Sequence, residues 1–273
     1  MESMFRCPLC ASPLERGNGA YACPRGHSFD ISREGYVHLL PANRKHSRVP
    51  GDDREMAAAR NRFLSAGYYG HLRGVLEQLV LQYAGDTPRV LDSGCGEGYY
   101  TAGIHDALTA AGRGVTMAGV DISTFCLRWA ARRTKKVEFA VASAYRLPLR
   151  DGSVNLLVNC FSPLAAEEFC RVLAPGGVFL YVVPAADHLW ELKEVLYDRP
   201  YLNPEEAVLY EGFDYLDIVK AERVITPHGQ DLADLFRMTP YYWKTPKEGG
   251  ERLSALEELT VRADFRIHVF RRR

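Results

Sequence analysis

A chain of 273 residues, 47% apolar and 25% charged, has the composition of a globular protein with room for one large domain or two. No run of about 18 apolar residues is present, which excludes a membrane-spanning helix, and MESMFRCPLC at the start lacks the apolar segment of a secretory signal, so the cytoplasm, where thiols stay reduced, is the expected compartment. The formal net charge is zero, which excludes nucleic-acid binding through bulk charge. Only local clusters could meet phosphates: Arg44, Lys45, His46 and Arg48; Arg128, Arg132, Arg133, Lys135 and Lys136; and the terminal Arg271-Arg272-Arg273, each of which also reads as a solvated face or a frayed tail.

Three of the seven cysteines stand near the start. CPLC, residues 7–10, is a C-x2-C pair that can grip one metal from a tight turn. CPRGH, residues 23–27, supplies a second pair, with Gly26 allowing a sharp turn. Gly17-Asn18-Gly19 between short extended segments predicts a hairpin that folds the second pair onto the first. Cys7, Cys10, Cys23 and His27 thus make a Cys3His set that closes a tetrahedron, so the predicted metal is one structural zinc rather than a catalytic one; the alternatives are a reduced cluster without metal or, against the expected compartment, a disulfide. The segment is too short for a core of its own, so metal binding is expected to supply its folding energy. Cys95, Cys126, Cys160 and Cys170 are scattered and read as small buried apolar residues.

PANRKHSRVPGD, residues 41–52, predicts a linker. Behind it Asp52 or Asp53 can cap a helix whose Met56, Ala59, Phe63 and Leu64 share a face and which Gly67 ends, and a second helix is expected over about 70–84. From about residue 87 strands and helices alternate: RVLDSG, VTMAGVDIS, VEFAVASA, SVNLLVNC and GVFLYVVP read as strands, residues 200–212 as irregular or helical, and VRADFRIHVFRR as a closing strand. That alternation predicts an α/β fold with a mostly parallel sheet covered by helices on both faces. The expected divisions are 1–40, a zinc-binding module; 41–84, linker and bridging helices; and 85–273, the α/β domain.

VLDSGCGEGYY, residues 90–100, places Asp92, Gly94, Gly96 and Gly98 in a D-x-G-x-G-x-G loop between a strand and a helix, where backbone can approach a ligand closely. Asp121, 29 residues after Asp92, ends the next strand, where a carboxylate can accept hydrogen bonds from both ribose hydroxyls of a nucleoside-containing cofactor. A dinucleotide fingerprint would put two residues before its last glycine; single-residue spacing after an acidic residue instead resembles motif I of class I methyltransferases, which bind S-adenosylmethionine. VASAYRLPL, residues 141–149, resembles the segment near adenine in that class, and VLAPGGVFLYVVP, residues 172–184, its late helix, turn and strand.

With the Cys3His module in front, the whole chain resembles the RlmA family of 23S rRNA (guanine-N1)-methyltransferases, through CPLC…CPRGHSFDISREGYVHLLP, RVPGDDREMAAARNRFLSAGYY, LDSGCGEGYYT, HLWELKEVLY and MTPYYWK…DFRIHVF. The resemblance implies a Rossmann-like, mostly parallel seven-stranded sheet and zinc ligands at Cys7, Cys10, Cys23 and His27. It implies cofactor contacts at Tyr69, Gly96, Glu97 and His188. By residue character alone Tyr69 reads as core and His188 as a surface residue at a helix start. Ser93 departs from the aliphatic residue usual at that place in the loop. The resemblance further implies 23S rRNA as partner, a homodimer and no membrane association, with the zinc module contacting RNA and Arg44, Lys45 and Arg48 near its backbone. The expected reaction is methylation of N1 of a guanosine in a hairpin loop. Asp52, Asp53, Glu97 and His188 are candidates for the base by polarity only. The family has two branches that modify neighbouring guanosines of one hairpin, the second tied to macrolide resistance; MTPYYWK, DFRIHVF and GCGEGYY look more like the first. Other readings are a small-molecule methyltransferase with a zinc module used for assembly, and a zinc-dependent RNA-binding protein without catalysis.

Overall fold

The computed structural model describes residues 2–41, 51–205 and 209–273; the basic Arg44, Lys45, His46 and Arg48 lie outside the described residues. β1 (Glu2–Arg6), β2 (Pro13–Arg16), β3 (Ala20–Ala22) and β4 (Ser28–Asp30) form an antiparallel sheet in sequence order. The predicted hairpin is the β2–β3 connection at residues 17–19. β5 (Tyr36–His38) leaves this sheet and joins the large one.

α1 (Arg54–Ser65) begins at Asp53, whose carboxylate accepts from the amides of Glu55 and Met56, so Asp53 rather than Asp52 is the cap. Its buried face holds Met56, Ala57, Ala59, Phe63 and Leu64. Gly67, in the left-handed region at φ +88°, turns the chain into α2 (Gly70–Tyr83).

The large sheet is built from β6 (Arg89–Ser93), β7 (Thr116–Asp121), β8 (Glu138–Val141), β9 (Val154–Cys160), β10 (Leu173–Pro184), β11 (Phe213–Ile225) and β12 (Val261–Arg272), with β5 as an eighth strand. Its order is β11-β12-β10-β9-β6-β7-β8-β5, and only β12 runs against the rest. The seven strands expected of the methyltransferase fold are therefore present, and the N-terminal segment adds one more at the edge. β11 was not among the predicted strands: FDYLDIVKAERVI exposes most of its side chains at the sheet's other edge, so its pattern lacks the buried alternation of a central strand. α3 (Tyr99–Ala110), α4 (Thr124–Arg133), α5 (Ala166–Val172), α6 (Trp190–Leu196), α7 (Gly229–Arg237) and α8 (Lys247–Ser254) complete the described α-helices. Among the described residues no helix is long and apolar enough to cross a membrane.

Successive strand residues face opposite sides, and both sides are buried. Val90, Leu156, Val158, Leu180 and Val182 pack with α1, α2 and α3 residues on one side. Leu91, Leu157 and Phe179 pack on the other, where Met4, Phe5, Leu14 and Tyr21 of the N-terminal module join the same core as Ala118, Val120, Ala140, Leu147 and Leu149. The module has no separate core; it shares this one. Glu138 at the start of β8 secures the join, accepting from Ser3 Oγ at 2.5 Å, the Tyr21 hydroxyl at 2.9 Å and the Met4 amide at 3.1 Å. The Arg6 amide adds a bond to the Pro148 carbonyl at 2.8 Å.

Two of the basic clusters are largely engaged inside the protein. Arg132 pairs with Glu34, Arg133 with Glu97, and Lys136 with Asp106. The C-terminus is not a frayed tail: β12 runs to Arg272, whose guanidinium donates to the Leu173 carbonyl, and Arg273 pairs with Asp214.

Candidate active site and metal centre

The four predicted metal ligands converge. Their ligand atoms all lie within 4.8 Å of one another. His27 Nδ1 is 3.5 Å from Cys7 Sγ and 3.4 Å from Cys23 Sγ, and Cys10 Sγ is 3.7 Å from Cys23 Sγ. A zinc with bonds of about 2.3 Å to sulfur and about 2.0–2.1 Å to nitrogen has tetrahedral edges of about 3.8 Å (S–S) and about 3.5 Å (S–N). The residues present therefore fit one zinc with no open coordination position. Burial pushes the Cys7 thiol up, whereas the Ser12 side chain and backbone amide hold Cys10 down at about 6, a ligand poised as thiolate.

The second site is a cleft at the C-terminal ends of β6, β7 and β9, where a parallel sheet presents its loops to ligands. Its lining includes Gly94, Gly96, Glu97, Asp121 and Ile122 together with Tyr69, Phe161, Ser162, Pro163 and Met238. All three loop glycines have positive φ, between 54° and 82°, each for a different reason. A Cβ on Gly94 would meet Ser162 Oγ at 2.1 Å, and one on Gly98 the Ala130 Cα of α4 at 2.9 Å; both glycines permit close packing of protein on protein. A Cβ on Gly96 would meet nothing nearer than Arg60 Cδ at 3.9 Å. The protein leaves the space over Gly96 open, as a cradle for a ligand requires.

Asp121 is placed for polar recognition at one end. Its Oδ2 accepts from the Gly96 amide at 2.9 Å and its Oδ1 from the Ser123 amide at 2.7 Å, which fixes the carboxylate and leaves each oxygen a lone pair. Burial raises its pKa against these hydrogen bonds. The buried Tyr100 hydroxyl, also in the lining, has no partner among the described residues, a second mark of a site built for a polar ligand. The donor set fits S-adenosylmethionine, with hydroxyl acceptors at Asp121 and a backbone cradle at Gly96. Asp121→Ala is expected to weaken S-adenosylmethionine binding by about 1–3 kcal/mol, the scale for hydrogen bonds to a charged group, with titration calorimetry as the measurement.

Other predicted residues sit differently. Asp92 lies beneath the loop, 1% exposed, accepting from Thr101 Oγ1 at 2.6 Å; burial pushes its pKa up to about 7, and it braces the loop from inside. Glu97 is buried as well, its Oε1 accepting from the Tyr99 amide and lying 3.7 Å from Arg133, and burial raises its pKa. Ser93 is buried below the loop. Tyr69 is buried, as its residue character suggested, and it also lines the cleft.

His188 is not at the surface, as its residue character suggested. It is 7% exposed, packs on Phe265 with ring centroids 4.6 Å apart, and stands behind Tyr69 at 6.3 Å rather than in the cleft lining. Burial pushes its pKa down to about 3, so the ring is neutral.

Of the four polar candidates for the base, Asp53 is committed to the helix cap and His188 lies behind Tyr69. Asp52 and Glu97 line the cleft but are ion-paired, Asp52 with Arg60 at 2.8 Å. The sequence reading missed Arg60, which is inside the cleft lining and bonds the Met238 carbonyl, and the Phe161-Ser162-Pro163 turn. Cys95, Cys126 and Cys160 also line the cleft, so these buried thiols are close to the ligand space; Cys170 is half-buried elsewhere. Spacing along the chain could not have gathered these residues, because they come from four separate elements.

A doubly covered parallel sheet, a glycine loop closing on an acidic strand end and a closed Cys3His site together define a class I, S-adenosylmethionine-dependent methyltransferase carrying a zinc ribbon. The comparisons agree segment by segment: the zinc ribbon described as "RlmA, N-terminal" matches residues 5–48, and a methyltransferase domain matches residues 90–177. The putative 23S rRNA (guanine-N(1)-)-methyltransferase of Micromonospora griseorubida is 34% identical, over 98% of this chain and 97% of its own. The putative enzyme of the same name YxjB from Bacillus subtilis is 33% identical over 98% and 95%, and the 23S rRNA (guanine(748)-N(1))-methyltransferase of Streptomyces fradiae 34% identical over 96% and 95%. The YcgJ protein of Bacillus subtilis shares the fold, with a TM-score of 0.50 at 19% identity over 72% of this chain and 97% of that one. The chain belongs to the RlmA family of 23S rRNA (guanine-N1)-methyltransferases.

Proposed function

We propose that this protein methylates N1 of a guanosine in a hairpin loop of 23S rRNA, with S-adenosylmethionine as methyl donor. The observation that carries the reading is the Cys3His zinc ribbon sharing one core with the methyltransferase sheet, the same two-part arrangement over which the rRNA-methylating relatives match from end to end.

S-adenosylmethionine supplies a methyl group already activated by a positive sulfur, so the protein's work is alignment. In this reading Asp121 binds the ribose hydroxyls, the backbone over Gly96 and Glu97 cradles the cofactor, Tyr69 closes the far wall, and His188 supports Tyr69 from behind. Guanine N1 carries a proton at neutral pH, and a positioned acceptor for it would contribute about 10²–10⁴-fold. A hairpin loop suits this chemistry because its unpaired bases can leave the stack. Residues 1–40 serve as the RNA-recognition module, with Arg44, Lys45 and Arg48 against the phosphates. A homodimer in the cytoplasm belongs to the same proposal.

Overall identity does not rank the two branches: the relative named for guanine 748 and one named without a position are both 34% identical. The C-terminal motifs favour the first branch, so the expected target is the guanosine on the 5′ side of the pair. N1 methylation blocks Watson–Crick pairing and stops reverse transcriptase. Primer extension on rRNA from a deletion strain should lose the stop at that guanosine. Loss at its 3′ neighbour would place the chain in the resistance branch, and no lost stop would favour a small-molecule acceptor.

A further inference from the structure

We infer that the target guanine stacks on the side chain of Phe161, an inference that rests on the rRNA reading above. Phe161 follows β9 and lines the cofactor cleft. Most large aromatic side chains close to that cleft are buried: Tyr69 is 4% exposed, Tyr100 8% and Phe265 1%, whereas Phe161 is 42% exposed. Its one ring contact among those described is with Phe265, at 5.3 Å and 52°, which supports the ring without covering it. An apolar ring is thus held out into the cleft with a face left open, as a stacking platform requires.

The backbone is also set for this. Phe161 has φ +54°, a left-handed conformation that a bulky residue adopts only when its surroundings impose it. Those surroundings are specific. The Phe161 amide donates to the Val182 carbonyl at 3.2 Å, and buried Asn159 donates through Nδ2 to the Pro163 carbonyl at 3.3 Å across the turn. Ser162 presses on Gly94 so closely that any side chain there would overlap it. The turn that presents Phe161 is therefore keyed directly to the cofactor loop.

Position along the sheet gives the ring its role. Strand order across the cleft is β9-β6-β7. Asp121 at the end of β7 takes the nucleoside end of the cofactor, and the glycine loop after β6 takes the part beyond it. The next strand, β9, leads into Phe161, on the side away from the nucleoside, where an acceptor must arrive. A guanine drawn out of its hairpin loses stacking on its neighbours and regains it on an aromatic face.

The test compares the parent enzyme with Phe161→Ala, Phe161→Gly and Phe161→Trp on an unmethylated hairpin transcript, reading methylation rate, S-adenosylmethionine affinity by calorimetry, and melting temperature. Loss of one base–aromatic stack corresponds to about 5- to 150-fold in kcat/KM for the Ala and Gly variants. Cofactor affinity should stay within about threefold of the parent, and Phe161→Trp should retain activity, since any flat aromatic face can stack. Phe161→Gly should melt at or above Phe161→Ala, because glycine adopts the left-handed backbone freely; that result separates lost stacking from lost folding. Parental kcat/KM in Phe161→Ala, or a loss of cofactor affinity as large as the loss of rate, would overturn the assignment. A parent enzyme inert on the transcript would overturn the rRNA reading itself, before any variant is compared.

Discussion

Stripping the zinc, by chelation or by Cys23→Ser, will unfold residues 2–40 and lower the melting temperature of the methyltransferase domain in the same transition. A closed four-ligand zinc site contributes about 10–16 kcal/mol of apparent binding energy to the fold it organises. Loss of the module takes Met4, Phe5, Leu14 and Tyr21 off the sheet and exposes Leu91, Val120, Leu147 and Leu149 beneath them, each buried side chain contributing about 1.5–3 kcal/mol. It also removes the β5 edge from β8, and β8 is the strand paired with Asp121 through Val141. Cofactor affinity should therefore fall with the zinc. Scanning calorimetry beside metal analysis gives the measurement: about one zinc per chain and a single cooperative transition that weakens on chelation. Two separate transitions, the upper one indifferent to chelator, would show that the shared core does not couple the two parts.

The sequence carried its information unevenly, and the reasons are physical. Ligand identity was legible in the zinc module because Cys and His at fixed short spacing have few other uses, and the hairpin between the pairs is signalled by Gly17-Asn18-Gly19. The glycine loop was legible because strand, loop and helix are contiguous. β5 was not, since three residues carry no periodicity, and its place is set by pairing with a strand 100 residues later in the chain. β11 was obscured by its exposed edge position. Arg60 reaches the Met238 carbonyl only through packing of α1 on the segment after α7. The burial of His188 was hidden for a similar reason: it depends on Phe265 from the last strand. Local chemistry can be read from the chain, whereas the walls of the cleft depend on long-range packing.

The glycine loop should respond to substitution in two distinct ways. Gly98→Ala puts a methyl group 2.9 Å from the Ala130 Cα, at φ +82°. Backbone in the middle of α4 cannot yield as a side-chain tip can. The left-handed conformation costs an alanine about 1–2 kcal/mol and the overpacking about 1–3 kcal/mol more, so a stability loss of about 2–5 kcal/mol is expected. Gly96→Ala meets only the first of these costs, because its methyl group finds open space 3.9 Å from the Arg60 side chain. In the proposed reading that space holds the cofactor, so Gly96→Ala should remain folded and lose S-adenosylmethionine binding. Urea unfolding and calorimetric titration of both variants separate the effects: Gly98→Ala fails mainly by stability, Gly96→Ala mainly by affinity. If Gly96→Ala bound the cofactor as the parent does, the ligand would not pass over Gly96, and the cradle would have to be sought at the Tyr69 and Phe161 wall of the cleft.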